Sequence, residues 1–224
     1  MGLEHIVSGG RIPGLPPLVL YPLAAVLGYL LGSLNWSIIL SRRLYKSDIR
    51  RYGSGNAGMT NTLRVYGGGK AALVFVLDML KTVAAVLIGR LLIGPEYGTV
   101  LGGTGALLGH VYPVYYRFKG GKGVVCGITL LTLLDIRIAA AVLGVFLLVL
   151  AARRIISLAS VCGAAAFPVS ALIFHFGEWD FCAYAAAVGA FIIWLHRANI
   201  KRIVSGTEAP IGAGKKQSGK GKSA

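Results

Sequence analysis

Long apolar runs separated by short polar segments set the pattern of this chain. Residues 14–41 carry no charged side chain, and six later runs are nearly as clean. The expected helices cover residues 17–41, 71–92, 99–116, 122–134, 138–152, 157–176 and 181–197. A helix needs about 20 apolar residues to cross a hydrocarbon core of about 30 Å, so this pattern predicts an all-α integral membrane protein with seven transmembrane helices. The segment 122–152 has a competing reading as one long span. That would bury Asp135 and Arg137 near the bilayer centre, an expensive place for charge, so two helices turning at residues 135–137 are expected instead.

Composition agrees with the pattern. Hydrophobic residues make up 55% of the 224 positions, and mean hydropathy is +0.71. A formal charge of +15 raises the question of nucleic acid, which the placement of the charge answers. If the loop after the first span is cytoplasmic, seven crossings put 19 of the 23 basic residues on that side, while Glu4, Glu96, Asp135, Glu178 and Asp180 fall outside. The positive-inside bias therefore accounts for the charge without nucleic acid, and predicts an outer N-terminus and a cytoplasmic C-terminus. A single membrane domain over 1–208 is expected, followed by a basic tail, 209–224, without a packed core. The N-terminal run is too long for a secretory signal, lacks a small-residue cleavage site and is followed by Arg42, Arg43 and Lys46, so it is read as a retained span. Cys126, Cys162 and Cys182 all lie in apolar runs and read as small buried hydrophobes.

Three polar clusters interrupt the apolar pattern. The densest runs from Gly53 to Arg64, Gly-Ser-Gly-Asn-Ala-Gly-Met-Thr-Asn-Thr-Leu-Arg. Gly53, Gly55 and Gly58 allow the backbone to turn its N–H groups outward, Ser54 and Thr60 add hydroxyls, Asn56 and Asn61 add amides, and Arg64 adds a planar charged fork. An anion site has this composition; a surface loop is the plainer alternative. The second cluster joins Gly109-His110-Val111-Tyr112-Pro113 to Phe118-Lys119-Gly120-Gly121-Lys122-Gly123 at the start of a predicted helix, where amides, ammonium groups and the positive helix end favour an anion. It lacks the spacing of a Walker loop. The third runs His196-Arg197-Ala198-Asn199-Ile200-Lys201-Arg202, then Ser205-Gly206-Thr207-Glu208, with His196 and Asn199 three apart on one helix face. All three clusters fall on the side predicted to be cytoplasmic.

Asp78 and Lys81, three apart inside the second span, read as a paired support beneath such a site. His175 and Asp180 reproduce the His-x-x-x-x-Asp signature of a large acyltransferase group, but the predicted topology puts them on the opposite face. No metal or cofactor is called for by any Cys–His cluster.

The three clusters taken together, with Arg154-Ile-Ile-Ser-Leu-Ala-Ser160, resemble in order and over nearly the whole chain the bacterial acyl-phosphate:glycerol-3-phosphate acyltransferase family, PlsY. The resemblance implies transfer of a fatty acyl group from acyl phosphate to sn-glycerol 3-phosphate, giving lysophosphatidic acid and inorganic phosphate. It implies a bacterial inner membrane enzyme among membrane lipids, with its site facing the cytoplasm. By matching positions it makes Ser54, Arg64, Lys122, His196 and Asn199 the expected catalytic set. Gly53, Gly55, Asn56, Gly58, Thr60, Asn61, His110, Lys119, Gly120, Gly121, Gly123 and Glu208 become the expected phosphate-binding set, with Gly120, Gly121 and Gly123 presenting amides. The family's proposed substrate-assisted mechanism gives the hydroxyl proton to the acyl-phosphate phosphate, and His196 is the other possible base. Leu34-Asn35, Thr82 and Val125-Cys126 depart from the family's usual residues beside the motifs. The alternative from another class is a transporter or channel for a small phosphate-bearing anion, which would need a matching anion site on the outer face.

Overall fold

The structure, a computed structural model, describes residues 15–212. Among them are ten α-helices and no strand. Packing divides the chain into two compact units at Ile136.

The first unit holds α1 (Pro17–Gly32), α2 (Trp36–Tyr45), α3 (Met59–Tyr66), α4 (Gly68–Ile93), α5 (Pro95–Val111) and α6 (Val124–Leu134). Small residues decide its packing. A Cβ on Gly32 would stand 2.2 Å from the Ala106 carbonyl oxygen, and one on Gly109 would stand 2.1 Å from that of Tyr29. On its other side α5 meets α4, where a Cβ on Gly98 would lie 2.3 Å from Gly89. Helices gain little from burying apolar surface when lipid is equally apolar, so close backbone approach through small residues supplies the dispersion contact instead. Arg90 secures the far end: Nε donates to Thr99 Oγ1 at 2.7 Å and Nη2 to the Leu133 carbonyl at 2.8 Å. The second bond satisfies a carbonyl in the last turn of α6.

The first expected span is broken. Asn35, fully buried, accepts from the Ile38 N–H at 3.2 Å and so caps α2 after the Ser33–Asn35 interruption. An Asx cap supplies the partner that an orphan N–H at a helix start would lack. The Asn35 Nδ2 donates at 3.1 Å to the Ala57 carbonyl, so the break also fastens the glycine-rich cluster to the helices.

The second unit holds α7 (Ile136–Arg153), α8 (Ile156–Phe174), α9 (Trp179–Leu195) and α10 (Arg197–Val204). In it α8 and α9 pack through Phe167, whose ring meets those of Phe181 and Tyr184 edge-on at 6.4 and 6.5 Å. A Cβ on Gly189 would lie 2.7 Å from the Ala164 carbonyl oxygen. The chain bends by 60° between α9 and α10.

Four segments are long and apolar enough to cross a membrane: Pro17–Tyr45, Gly68–Ile93, Ile136–Arg153 and Ile156–Phe174, with α9 and α10 a fifth if the bent pair is one span. At 1.5 Å per residue, the 11-residue α6 is roughly 16 Å long, short of a full crossing. The helix break expected between residues 122 and 152 falls at Asp135. All three cysteines are free. The expected tail lies outside the described residues from 213 onward, as does the N-terminus, residues 1–14.

Candidate active site

In the first unit the glycine-rich cluster divides into residues that build the loop and residues left over. Gly53 and Gly55 take φ of +60° and +73°, angles that a Cβ would strain. Asn61, buried, uses its whole amide internally: Oδ1 accepts from the Ser54 N–H at 2.9 Å, and Nδ2 donates to the Ile49 and Tyr52 carbonyls. The expectation that Asn61 meets substrate therefore gives way to a bracketing role. Ser54 and Arg64 are exposed. The side chains of Ser54, Asn56, Thr60 and Arg64 make no hydrogen bond among the described residues. Thr60 and Arg64, four apart on α3, share a face, and Asn56 precedes the helix start, whose N-cap is Gly58.

The second cluster reaches this loop through a buried polar triad. Lys81 Nζ lies 2.7 Å from Asp78 Oδ1 and 3.0 Å from His110 Nδ1, and donates to the Leu34 carbonyl at 3.0 Å. The Asp78 contact is at ion-pair distance, although neither carboxylate oxygen has a hydrogen bond of good angle. Asp78, Lys81 and His110 are all at most 5% exposed, and a buried charge without partners would cost several kcal/mol. Lys81 thus ties α4 to the α1–α2 break and to α5.

From His110 the chain returns through Pro113, and the Lys119–Gly123 loop comes back alongside. The Gly121 N–H donates to the His110 carbonyl at 3.0 Å and the Gly120 N–H to that of Val111 at 3.1 Å. This corrects the expectation that these two amides face phosphate, because the helix end already takes them. Their glycine character serves close approach instead. A Cβ on Gly121 would lie 2.1 Å from His110 Nε2 and 2.5 Å from the Ala57 carbonyl oxygen. At Gly121 the second cluster is pressed against the first. Gly123, with φ +74°, turns the chain into α6 as its N-cap. Lys119 is exposed and Lys122 partly buried.

The second unit carries the third cluster, at the end of α9. His196 is 2% exposed. Its Nδ1 lies 2.8 Å from the Ile192 carbonyl, a contact that needs the proton on Nδ1 and leaves Nε2 as the acceptor in the neutral ring. Asn199 Nδ2 donates to Glu208 Oε1 at 2.7 Å, Ser157 Oγ donates to the same oxygen at 2.7 Å, and Arg202 Nε donates to Oε2 at 2.5 Å. Burial raises the pKa of the Glu208 carboxyl, but the Ser157, Asn199 and Arg202 hydrogen bonds outweigh it and hold it below the ordinary carboxylate value. Glu208, expected to bind phosphate, has both carboxylate oxygens engaged by Ser157, Asn199 and Arg202. Sequence assigned no site role to Ser157, or to Arg202 within the third cluster. Their signal was present in the Arg154–Ser160 stretch and in the basic run 201–202, but only folding brings them to one carboxylate.

His175 pairs locally: Nδ1 lies 3.1 Å from Glu178 Oε1 and its ring packs 4.5 Å from Phe181. It precedes α9, while His196 follows it, and 17 residues of helix separate them by roughly 25 Å.

Residues 22–206 match the family described as glycerol-3-phosphate acyltransferase. The chain is 38% identical over 205 residues to a glycerol-3-phosphate acyltransferase of Thermosynechococcus vestitus, covering 87% of this chain and 97% of that one. It is 41% identical to one of Rhodopseudomonas palustris, covering 86% and 97%. Among solved structures it is similar to PlsY (YgiH), an integral membrane glycerol 3-phosphate acyltransferase, in its glycerol 3-phosphate form, with TM-score 0.78, 33% identity and 86% and 96% of the two chains covered. Similarity to the lysophosphatidic acid form of that protein gives a TM-score of 0.73.

Proposed function

The chain belongs to the glycerol-3-phosphate acyltransferase family, and on that premise we propose that it transfers a fatty acyl group from acyl phosphate to sn-glycerol 3-phosphate. The products are lysophosphatidic acid and inorganic phosphate. The observation that carries the reading is the junction at Gly121, where the Lys119–Gly123 loop lies against Ala57 beside a loop whose Ser54, Asn56, Thr60 and Arg64 side chains make no hydrogen bond among the described residues.

In this reaction the glycerol hydroxyl oxygen attacks the acyl carbonyl carbon. The bond from that carbon to the phosphate oxygen breaks, and the hydroxyl proton passes to the departing phosphate. Negative charge builds on the carbonyl oxygen and on the phosphate together. Arg64 and Lys122 supply positive charge for it, with Lys119 at the rim. Ser54, Asn56 and Thr60 supply directed donors. Gly53, Gly55, Gly58 and Gly123 set the backbone that carries them. Donors fixed before reaction cost no reorganisation as charge develops, which is where such sites gain most, and holding two substrates in line removes much of the entropic barrier. For His196 and Asn199 the resemblance alone supports a role, His196 through its Nε2 acceptor and Asn199 through an amide that Glu208 orients.

The same reading counts the short α6 among seven crossings, with an outer N-terminus and a cytoplasmic C-terminus in a bacterial inner membrane, on the strength of the charge distribution. The test is direct. Purified protein in detergent receives labelled glycerol 3-phosphate and, separately, acyl phosphate, acyl-CoA or acyl-carrier protein. Lysophosphatidic acid should form with acyl phosphate and not with the other two; product from acyl-CoA or acyl-carrier protein alone would overturn the donor assignment.

A further inference from the structure

Beside the loop at residues 48–51 lies a cavity of about 420 Å³ that none of the residues assigned to the reaction lines. Small-ligand sites range from about 300 to 1,000 Å³. Four arginines, Arg42, Arg50, Arg51 and Arg117, line it with a single carboxylate residue, Asp48. Asp48 is shared by Arg42 at 2.8 Å and Arg50 at 2.8 Å. Arg50 is fully engaged, because its Nη1 also donates to the Tyr116 and Lys119 carbonyls at 3.0 and 2.9 Å. Arg42 lies over the Tyr116 ring at 5.4 Å. These two arginines build the walls.

The side chains of Arg51 and Arg117 make no hydrogen bond or ion pair among the described residues. Two cations are therefore left uncommitted where the local carboxylate is already spent. The backbone at Arg117 and Phe118 takes φ of +57° at both positions, an unfavourable conformation for side-chain-bearing residues that a fold keeps where something over-determines it. The Phe118 N–H donates to the Pro113 carbonyl at 3.0 Å and fastens that turn.

We propose that this cavity binds a phosphate-bearing anion, with Arg51 and Arg117 as the grasping pair. Guanidinium forks match the oxygens of phosphate in spacing and plane. The chemistry has two possible sources, a lipid headgroup and soluble phosphate. The setting favours the headgroup: Tyr115, Phe118, Leu44 and Tyr45 are 53%, 58%, 52% and 42% exposed, and aromatic side chains of this kind settle at headgroup depth.

The experiment uses the full chain and the Arg51→Gln/Arg117→Gln double variant, both in nanodiscs of neutral phosphatidylcholine with and without phosphatidate. Native mass spectrometry counts phosphatidate retained after extraction, phosphorus NMR follows titration with inorganic phosphate, and turnover is recorded in neutral lipid. Each arginine near an anionic headgroup is worth about fivefold in binding, so roughly 25-fold weaker phosphatidate retention is expected in the double variant, with KM for glycerol 3-phosphate and melting temperature unchanged. Loss confined to inorganic phosphate would support the cavity and assign it to a soluble anion. Equal retention of phosphatidate and equal phosphate binding in both proteins would overturn the proposal. A raised KM for glycerol 3-phosphate would overturn it too, by making the cavity part of the reaction site.

Discussion

The two polar centres of this molecule are held by opposite devices. In the first unit Asp78, Lys81 and His110 lie almost wholly buried, with Lys81 at ion-pair distance from Asp78 and in contact with His110 and the Leu34 carbonyl. In the second unit Glu208 collects Ser157, Asn199 and Arg202 at a helix end, with the Arg202 side chain 43% exposed. The first arrangement behaves as a frame that is costly to break. The second is an orienting clamp that water can reach. What differs is the penalty for losing one partner, and the experiments that separate the two centres follow from that penalty.

The largest effect is expected at Asp78. Asp78→Ala leaves the Lys81 ammonium buried beside His110, and removing one partner of a buried pair costs about 3–5 kcal/mol. Thermal unfolding in detergent should fall sharply, and Asp78→Ala/Lys81→Met should recover most of the loss. If the single variant melts like wild type, the frame is not structural.

Gly121→Ala comes next. Its Cβ has no room between His110 and Ala57, and the Ala57 side of that gap is backbone. The Lys119–Gly123 loop must shift, which should reduce kcat by about 100-fold for a misplacement near 1 Å. Arg64→Ala and Lys122→Ala should lose turnover to a similar degree, about 100-fold or more, with melting temperature kept.

A smaller effect separates the clamp. Glu208→Gln should lower kcat/KM roughly tenfold, the worth of about 1.4 kcal/mol of lost orientation. The folded-state pKa of Glu208 is depressed below 4.5, so the carboxylate stabilises the clamp above that pH and the contribution fades as pH falls through the lower folded value. Hydrogen-exchange protection at residues 199–208, taken relative to the intrinsic rate at each pH, should drop on acidification below pH 4.5 in wild type but show no such step in Glu208→Gln. The smallest effect belongs to His175→Ala, whose activity should stay within about twofold, as for a surface substitution.

Much of this was legible beforehand, for physical reasons that differ by element. Apolar runs marked the helices because lipid-facing and core positions demand the same residues. The Ser33–Asn35 break was missed, since Asn35 sits in an uncharged run and its cap depends on a side-chain angle. The 99–116 expectation overran α5, which ends at Val111 where Tyr112 and Pro113 stop it. Asp78 and Lys81 were readable as an i,i+3 pair, whereas His110, 29 residues from Lys81, joins them only by packing. The composition of the Gly53–Arg64 stretch predicted an anion loop but could not divide its donors. Asn61 and Asn56 are the same residue type, and only the fold spends one amide on the loop and leaves the other uncommitted.

The central claim is that phosphate chemistry happens where the two glycine-rich loops meet at Gly121. The most direct measurement is phosphorus NMR of acyl phosphate with glycerol 3-phosphate, run on wild type and on a Gly121→Ala protein whose melting temperature matches it. Both substrate signals should fall in step in wild type, with one inorganic phosphate per lysophosphatidic acid, and the variant should be slowed about 100-fold. Turnover at the wild-type rate by well-folded Gly121→Ala would contradict that claim.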